Sequence, residues 1–163
     1  MCSSRISEYG GSMTKADRVR ASVLDEQLCF ALYTASRAMT SCYRPMLDAI
    51  GLTYPQFLVL LVLWERGDAS VTGIGNVLQL ETGTLSPLLK RLETTGFITR
   101  TRQAEDERSV IVGLTEAGRA LEERAAAVQH EVSDATGLTD AEIAALRATL
   151  HTLTGNLRKT GSR

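Results

Sequence analysis

The sequence predicts a mostly helical fold of the α+β class, in which a helix-turn-helix runs into a two-stranded hairpin and further helices flank both. Three observations carry that expectation. Apolar residues recur every three to four positions over most of the chain, the period of a helix with one buried face. Aromatics are only 5% of the residues against a hydrophobic fraction of 44%, a composition that suits helices better than a β-sandwich. Near residue 97 the period falls to two for two short stretches, as half-buried strands require.

The first stretch, Met1 to Asp17, is rich in Ser, Gly and charge and reads as a tail; Met13 is a second possible start. Leu24, Leu28, Leu32, Ala35 and Met39 form one apolar stripe, which predicts a helix from Val23 to Thr40. Tyr43 to Ile50 reads as a second, shorter helix stopped by Gly51. Thr53-Tyr54-Pro55-Gln56 has the spacing of a capping box with Pro in the first turn, and the helix it opens runs through Trp64 to Gly67. Val71 to Leu80 and Thr84 to Thr95 read as two more helices, the second turning Leu85, Leu88, Leu89 and Leu92 inward and ending at Gly96.

Phe97 to Arg102 then alternates, Gln103 to Glu107 is polar and turn-like, and Arg108 to Leu114 alternates again. Thr115 opens a helix with Ala117, Leu121, Ala125, Val128 and Val132 on one side, broken by Gly137. Thr139 to Glu142 is a second capping box. The helix beyond it carries Ile143, Leu146, Leu150, Leu153 and Leu157, a three-four seam that asks for a partner helix. Arg158 to Arg163 reads as a short basic tail. The expected organisation is a single domain over residues 18–157, with a DNA-binding part near 54–114 and dimerisation helices near 23–50 and 115–157.

A helix-turn-helix followed directly by a hairpin is the winged-helix arrangement. Its second helix, GTLSPLLKRLETTG, is the expected recognition helix, with Thr82, Thr84, Ser86 and Lys90 projecting away from the leucines. Hydroxyls at a positive helix end suit phosphate and base-edge contacts. Between Thr82 and Arg102 stand four bases, Lys90, Arg91, Arg100 and Arg102, against the single acid Glu93, while the chain as a whole carries −1. The basic patch DNA needs is therefore local.

The segment DERSVIVGLTEAG, Asp106 to Gly118, resembles the wing of the MarR family of bacterial regulators, and LLKRLETTGFITR resembles its recognition helix running into the wing. The resemblance implies that Arg108 reaches the minor groove of operator DNA, that Asp106 braces it, and that the protein works as a homodimer. The segment Leu28 to Glu65 resembles the organic-hydroperoxide-resistance branch of that family, OhrR. There the cysteine matching Cys29 is the peroxide sensor. Tyrosines matching Tyr43 and Tyr54 hydrogen-bond its sulfur from the partner subunit, and one matching Tyr33 lies near. Some relatives carry a second, resolving cysteine in the helix after the wing; Glu122 to Asp134 has none here, so a small external thiol is the expected partner for a mixed disulfide at Cys29.

Local sequence alone does not make Cys29 reactive. Its nearest charges are Asp25 and Glu26, and it sits one residue, about 100°, off the apolar stripe. With three cysteines, Cys2, Cys29 and Cys42, no disulfide framework is expected. His130 and His151 lack metal-ligand spacing, and no cofactor motif occurs, so neither metal nor cofactor is expected. The longest apolar run, Phe57 to Trp64, is far short of a membrane span, and no secretory leader is evident, which gives a cytoplasmic expectation. The reading is a repressor released by oxidation rather than an enzyme. Two alternatives stand beside it: a repressor released by a small phenolic ligand, and a thiol peroxidase that turns over.

Overall fold

The computed structural model describes residues 23–102 and 110–161. The expected N-terminal tail, Met1 to Asp17, and the wing tip with Asp106 and Arg108 lie outside the described residues. Six α-helices and three short strands follow in order: α1 Leu28–Asp48, α2 Tyr54–Arg66, β1 Ala69–Ser70, α3 Val71–Leu78, α4 Thr82–Thr94, β2 Ile98–Arg102, β3 Val110–Leu114, α5 Glu116–Ala135 and α6 Asp140–Gly161. The mostly helical winged architecture is the one the periodicities predict.

The two helices expected between Val23 and Ile50 are one. A 3₁₀ turn, Leu24–Glu26, precedes α1, which then runs through Pro45 without a break. Proline there removes one backbone donor, but Tyr43, Met46 and Leu47 all pack onto the core, and that burial outweighs a single missing hydrogen bond. The capping box before α2 is formed: Thr53 N donates to Gln56 Oε1 at 2.8 Å, and Thr53 Oγ1 donates to the same oxygen at 2.9 Å. At its far end α6 continues to Gly161, so Arg158 and Lys159 are its basic last turn, favourably placed against the helix dipole, where a tail was expected.

The sheet has the order β1-β3-β2, all antiparallel. β1 was not foreseen: two residues show no alternation, yet Ala69 pairs with Val112 and Ser70 with Ile111. Ser70 also caps α3, its Oγ accepting from Gly73 N at 3.0 Å. In the hairpin Ile98 faces Leu114, Arg100 faces Val112 and Arg102 faces Val110.

Contacts divide the chain into two compact units, one of residues 38–132 and one of residues 1–37 with 133–163. The larger unit holds the core: Phe57, Leu60 and Leu63 of α2, Ile74 of α3, Leu85, Leu89 and Leu92 of α4, Ile98 and Val112 of the wing, and Leu121 and Ala125 of α5. On α5 the buried face is Gly118, Leu121, Ala125, Val128 and Val132, so the expected Ala117 gives way to its neighbour. The reason is a close approach: a Cβ on Gly118 would collide with the Phe97 carbonyl oxygen. In the smaller unit α6 buries no residue at all, and Leu146 and Leu157 of its seam are 50% and 63% exposed.

Gly118→Ala is therefore expected to cost about 1–3 kcal/mol, because backbone must move to admit the methyl group. Gly155→Ala in α6, where a Cβ meets nothing within 4 Å, should instead stabilise by up to about 1 kcal/mol. Urea unfolding of both variants checks the opposite signs; equal effects would refute the close-approach account.

Candidate functional site

The exposed face of α4, the helix expected to read DNA, is built by the leucines behind it. Leu85, Leu89 and Leu92 are fully buried, which turns Thr82, Ser86 and Lys90, spaced by four, to another side of α4. Thr82, Thr84, Lys90 and Arg91 are exposed and Ser86 is half-buried. Glu81 stands at the N-cap without a side-chain hydrogen bond, and its carbonyl oxygen accepts from Thr84 N and Leu85 N, both at 3.0 Å. The turn before it rests on two residues. Gln79 takes a left-handed conformation (φ 59°), and Gly75 lets the chain fold back, since a Cβ there would lie 2.9 Å from the Leu80 carbonyl oxygen. Leu80 N donates to Gly75 O at 3.0 Å and closes that turn.

The two wing arginines differ. Arg102 is exposed, at the last described pair of the hairpin. Arg100 lies over Val112 and is half-buried; its Nη1 reaches Glu93 Oε2 of α4 at 3.6 Å, while its Nε is buried and without a hydrogen-bond partner. Arg100 thus ties the wing to the recognition helix. Neither pattern nor charge count signalled this role.

The thiol region lies at the start of α1. Cys29 is exposed. Tyr33, one turn on and on the same face, is 56% exposed. Arg37, a further turn on, donates from Nη1 to the Tyr33 hydroxyl at 2.9 Å, and its guanidinium carbon stands 5.5 Å from the Tyr33 ring centre. The sequence reading missed Arg37; its i, i+4, i+8 spacing from Cys29 was the available signal.

Tyr43 and Tyr54 come together in the larger unit. Their ring centres are 5.1 Å apart, and both rings contact Phe57, at 5.7 and 6.4 Å. Burial pushes the Tyr43 phenol above its ordinary value, helped by the neighbouring Tyr54 and Cys42, and burial alone raises Tyr54. Both therefore stay protonated, as hydrogen-bond donors, throughout the physiological range. Cys42 is half-buried.

A sequence profile of the SarA/Rot transcriptional regulators matches residues 41–124. The organic hydroperoxide resistance transcriptional regulator of Bacillus subtilis (strain 168) is 44% identical over 136 residues, covering 83% of this chain and 92% of that protein. This chain is a MarR-family winged-helix transcriptional regulator of the OhrR branch. The regulator TtmR of Methylorubrum extorquens (strain PA1) is also 44% identical to it, over 88% of this chain and 77% of that one. Among solved structures, reduced AbfR bound to DNA matches with a TM-score of 0.71 and 37% identity over 88% of this chain and 99% of that one. The overoxidized AbfR bound to DNA matches with a TM-score of 0.70, and AbfR has also been solved from Staphylococcus epidermidis.

In this MarR-family regulator, among the described residues, no three His, Cys, Asp or Glu side chains gather as a metal would need, and no helix is long and apolar enough to cross a membrane. The raised phenols give a pH test. A phenol held protonated in the fold supports stability below the ordinary tyrosine range, near pH 10, and that support is lost as pH rises through the higher folded value. Ultraviolet titration should show two phenols ionising late, and Tyr43→Phe should remove one of them. Tyr43 and Tyr54 titrating at the ordinary value would contradict the packing.

Proposed function

We propose that this regulator is a repressor that holds operator DNA as a homodimer and releases it when an organic hydroperoxide oxidises Cys29. The observation that carries the reading is the exposed Cys29 thiol with Tyr33 one turn away, in a chain 44% identical to a regulator named for organic hydroperoxide resistance. The thiolate attacks the peroxide: an S–O bond forms, the O–O bond breaks, and the departing alkoxide takes up a proton to leave as the alcohol. A small thiol then attacks the sulfenic sulfur, displacing water and leaving a mixed disulfide at Cys29. α5, Glu116–Ala135, contains no cysteine to do this within the chain.

Dimerisation through residues 23–50 and 115–157 is supported by apolar surface left open in the protomer. Leu24 and Leu28 are 58% and 61% exposed, as are Leu146 and Leu157 of the α6 seam at 50% and 63%, while Ile143, Leu150 and Leu153 are half-buried. A two-fold dimer would set two copies of α4 one DNA turn apart, roughly 34 Å. Thr82, Thr84, Ser86, Lys90, Arg91 and Arg102 are the proposed contacts of α4 and the wing, with Arg108, braced by Asp106, at the tip and Arg100 holding the two parts together. A cytoplasmic location follows from that work on DNA.

A second reading has one observation in its favour. A cleft of about 340 Å³, with Arg44, Asp48, Leu52 and Tyr54 in its wall, is of a size to take a small phenolic ligand.

Operator duplex selected with the wild-type protein from a random library provides the tests. Cumene hydroperoxide with a small thiol should release wild type and not Cys29→Ser, while Cys42→Ser should still respond. Release of Cys29→Ser by peroxide would refute the sensor; release by a phenol without oxidation would establish the second reading. Arg108→Ala should weaken binding and make the slope of log affinity against log salt shallower by roughly one contact, about 0.9. Unchanged affinity would remove Arg108 from the minor groove.

A further inference from the structure

We propose that α4 reads one A·T pair with its own backbone: the carbonyl oxygen of Gly83, left without its helical donor by Pro87, accepts the adenine amino hydrogen, and the Pro87 ring lies against the thymine methyl group. This rests on the reading of α4 as the helix that enters the major groove of operator DNA.

The leucines set the direction. Leu85, Leu89 and Leu92 are fully buried. At about 100° per residue, the direction opposite to them belongs to Gly83, Pro87 and Thr94. All three are exposed. Thr82, Ser86 and Lys90 run along one flank of that line, and Thr84 and Arg91 along the other. Over the first two turns, the centre of the outward face is thus a glycine and a proline, four residues apart.

Neither residue serves the helix. A Cβ on Gly83 would meet nothing within 4 Å, and its φ is not one of the positive values that call for glycine. Alanine would fit there and favour the helix. Pro87 stands inside α4, beyond the first turn where a missing amide hydrogen costs nothing, and its side chain is exposed. Two residues that weaken a helix therefore sit together on the face turned away from the core.

Together they make an acceptor. Pro87 has no amide hydrogen, so the Gly83 carbonyl oxygen lacks the donor that a helical carbonyl finds four residues on. The proline ring crowds that carbonyl and tips it outward. With no Cβ at Gly83, another surface can come close. DNA phosphates offer acceptors only, so this oxygen gains nothing from the DNA backbone. In the major groove the amino groups of adenine and cytosine are the donors, while guanine presents two acceptors and thymine an acceptor and a methyl group. The A·T pair satisfies both residues, its amino group on the oxygen and its methyl group on the apolar ring one turn on. C·G offers the amino group without the methyl.

The test uses the full chain and operator duplex selected with it from a random library. Each half-site should hold one constant A·T pair at which deoxynebularine, which lacks the adenine amino group, weakens wild-type binding about tenfold, the worth of one hydrogen bond. Deoxyuridine for the thymine of that pair should weaken it about fourfold, the worth of one buried methyl group. Pro87→Ala restores the amide hydrogen and closes the Gly83 carbonyl into the helix. That variant should select operators in which this pair alone has become variable, and should bind the adenine and deoxynebularine duplexes equally. Its slope of log affinity against log salt should match wild type, since no phosphate contact is lost. A wild-type operator with no A·T pair sensitive to deoxynebularine would overturn the proposal, and so would the same sensitivity in Pro87→Ala. A shallower salt slope in that variant would show a displaced helix instead of a lost base contact, and would overturn it too. DNA binding unchanged in both Lys90→Ala and Pro87→Ala would defeat α4 as the helix on DNA, and this proposal with it.

Discussion

The larger unit depends on one junction, where the wing meets the first turn of α5. Thr115 N donates to Phe97 O at 3.1 Å, and Thr115 Oγ1 donates to Gly96 O at 2.6 Å. The same hydroxyl accepts from Gly118 N at 3.0 Å, so one side chain closes the helix N-terminus and ties it to the chain entering β2. Trp64 Nε1 then donates to Gly118 O at 3.0 Å and brings in α2. The approach is close enough that only glycine fits at 118. Three elements are thus set against one another by backbone and hydroxyl contacts rather than by apolar packing alone, which fixes angles as well as distances.

On the proposed reading that rigidity matters, because the surface offered to DNA is made of two separate pieces. α4 is fixed from behind by its leucines, and β2 is fixed at one end by the Thr115 junction. Arg100 joins them through Glu93, leaving a buried Nε without a partner. A buried donor left unpaired costs on the order of 1–3 kcal/mol, so the apolar packing around Arg100 has to offset it. The turn ahead of α4 carries a similar small cost in the left-handed Gln79. Both sit beside the recognition helix, where exact placement is worth more than local stability.

Periodicity made most of the fold legible. The leucines of α4, the seam of α6, the two capping boxes and the alternation of the hairpin each follow a rule that acts over a few residues. What stayed hidden acts over longer distances. β1 is too short to alternate and exists only because β3 offers it an edge. The break expected near Ser41 and Cys42 fails because the burial of Met46 and Leu47 lies on core residues far along the chain. Of the candidate site, Thr82, Thr84, Lys90 and Arg91, named from sequence, are exposed on α4, and Tyr43 and Tyr54, named there as partners of the Cys29 sulfur, pack against one another. The Glu93–Arg100 tie and the Arg37–Tyr33 pair do not announce themselves, because polar side chains seven or four apart usually belong to a solvated surface.

On the proposed reading, the position of Cys29 also bears on how oxidation would be transmitted. The thiol is small and only weakly polar, and it stands at the edge of a stripe whose leucines, Leu24 and Leu28, are left open by the protomer. A partner covering that stripe would tolerate the thiol. A sulfenic acid there adds a polar group that must be matched, at about 1–3 kcal/mol if it is not. Two-fold symmetry presents the cost twice, about 2–6 kcal/mol for a fully oxidised dimer. Moving a two-state regulator from mostly bound to mostly free takes about 5.5 kcal/mol, the upper part of that range. Sulfenic acid alone therefore sits near the threshold. A mixed disulfide adds bulk as well as polarity to the same surface and carries the change past it, so the small thiol belongs to the signal itself as much as to the repair that follows.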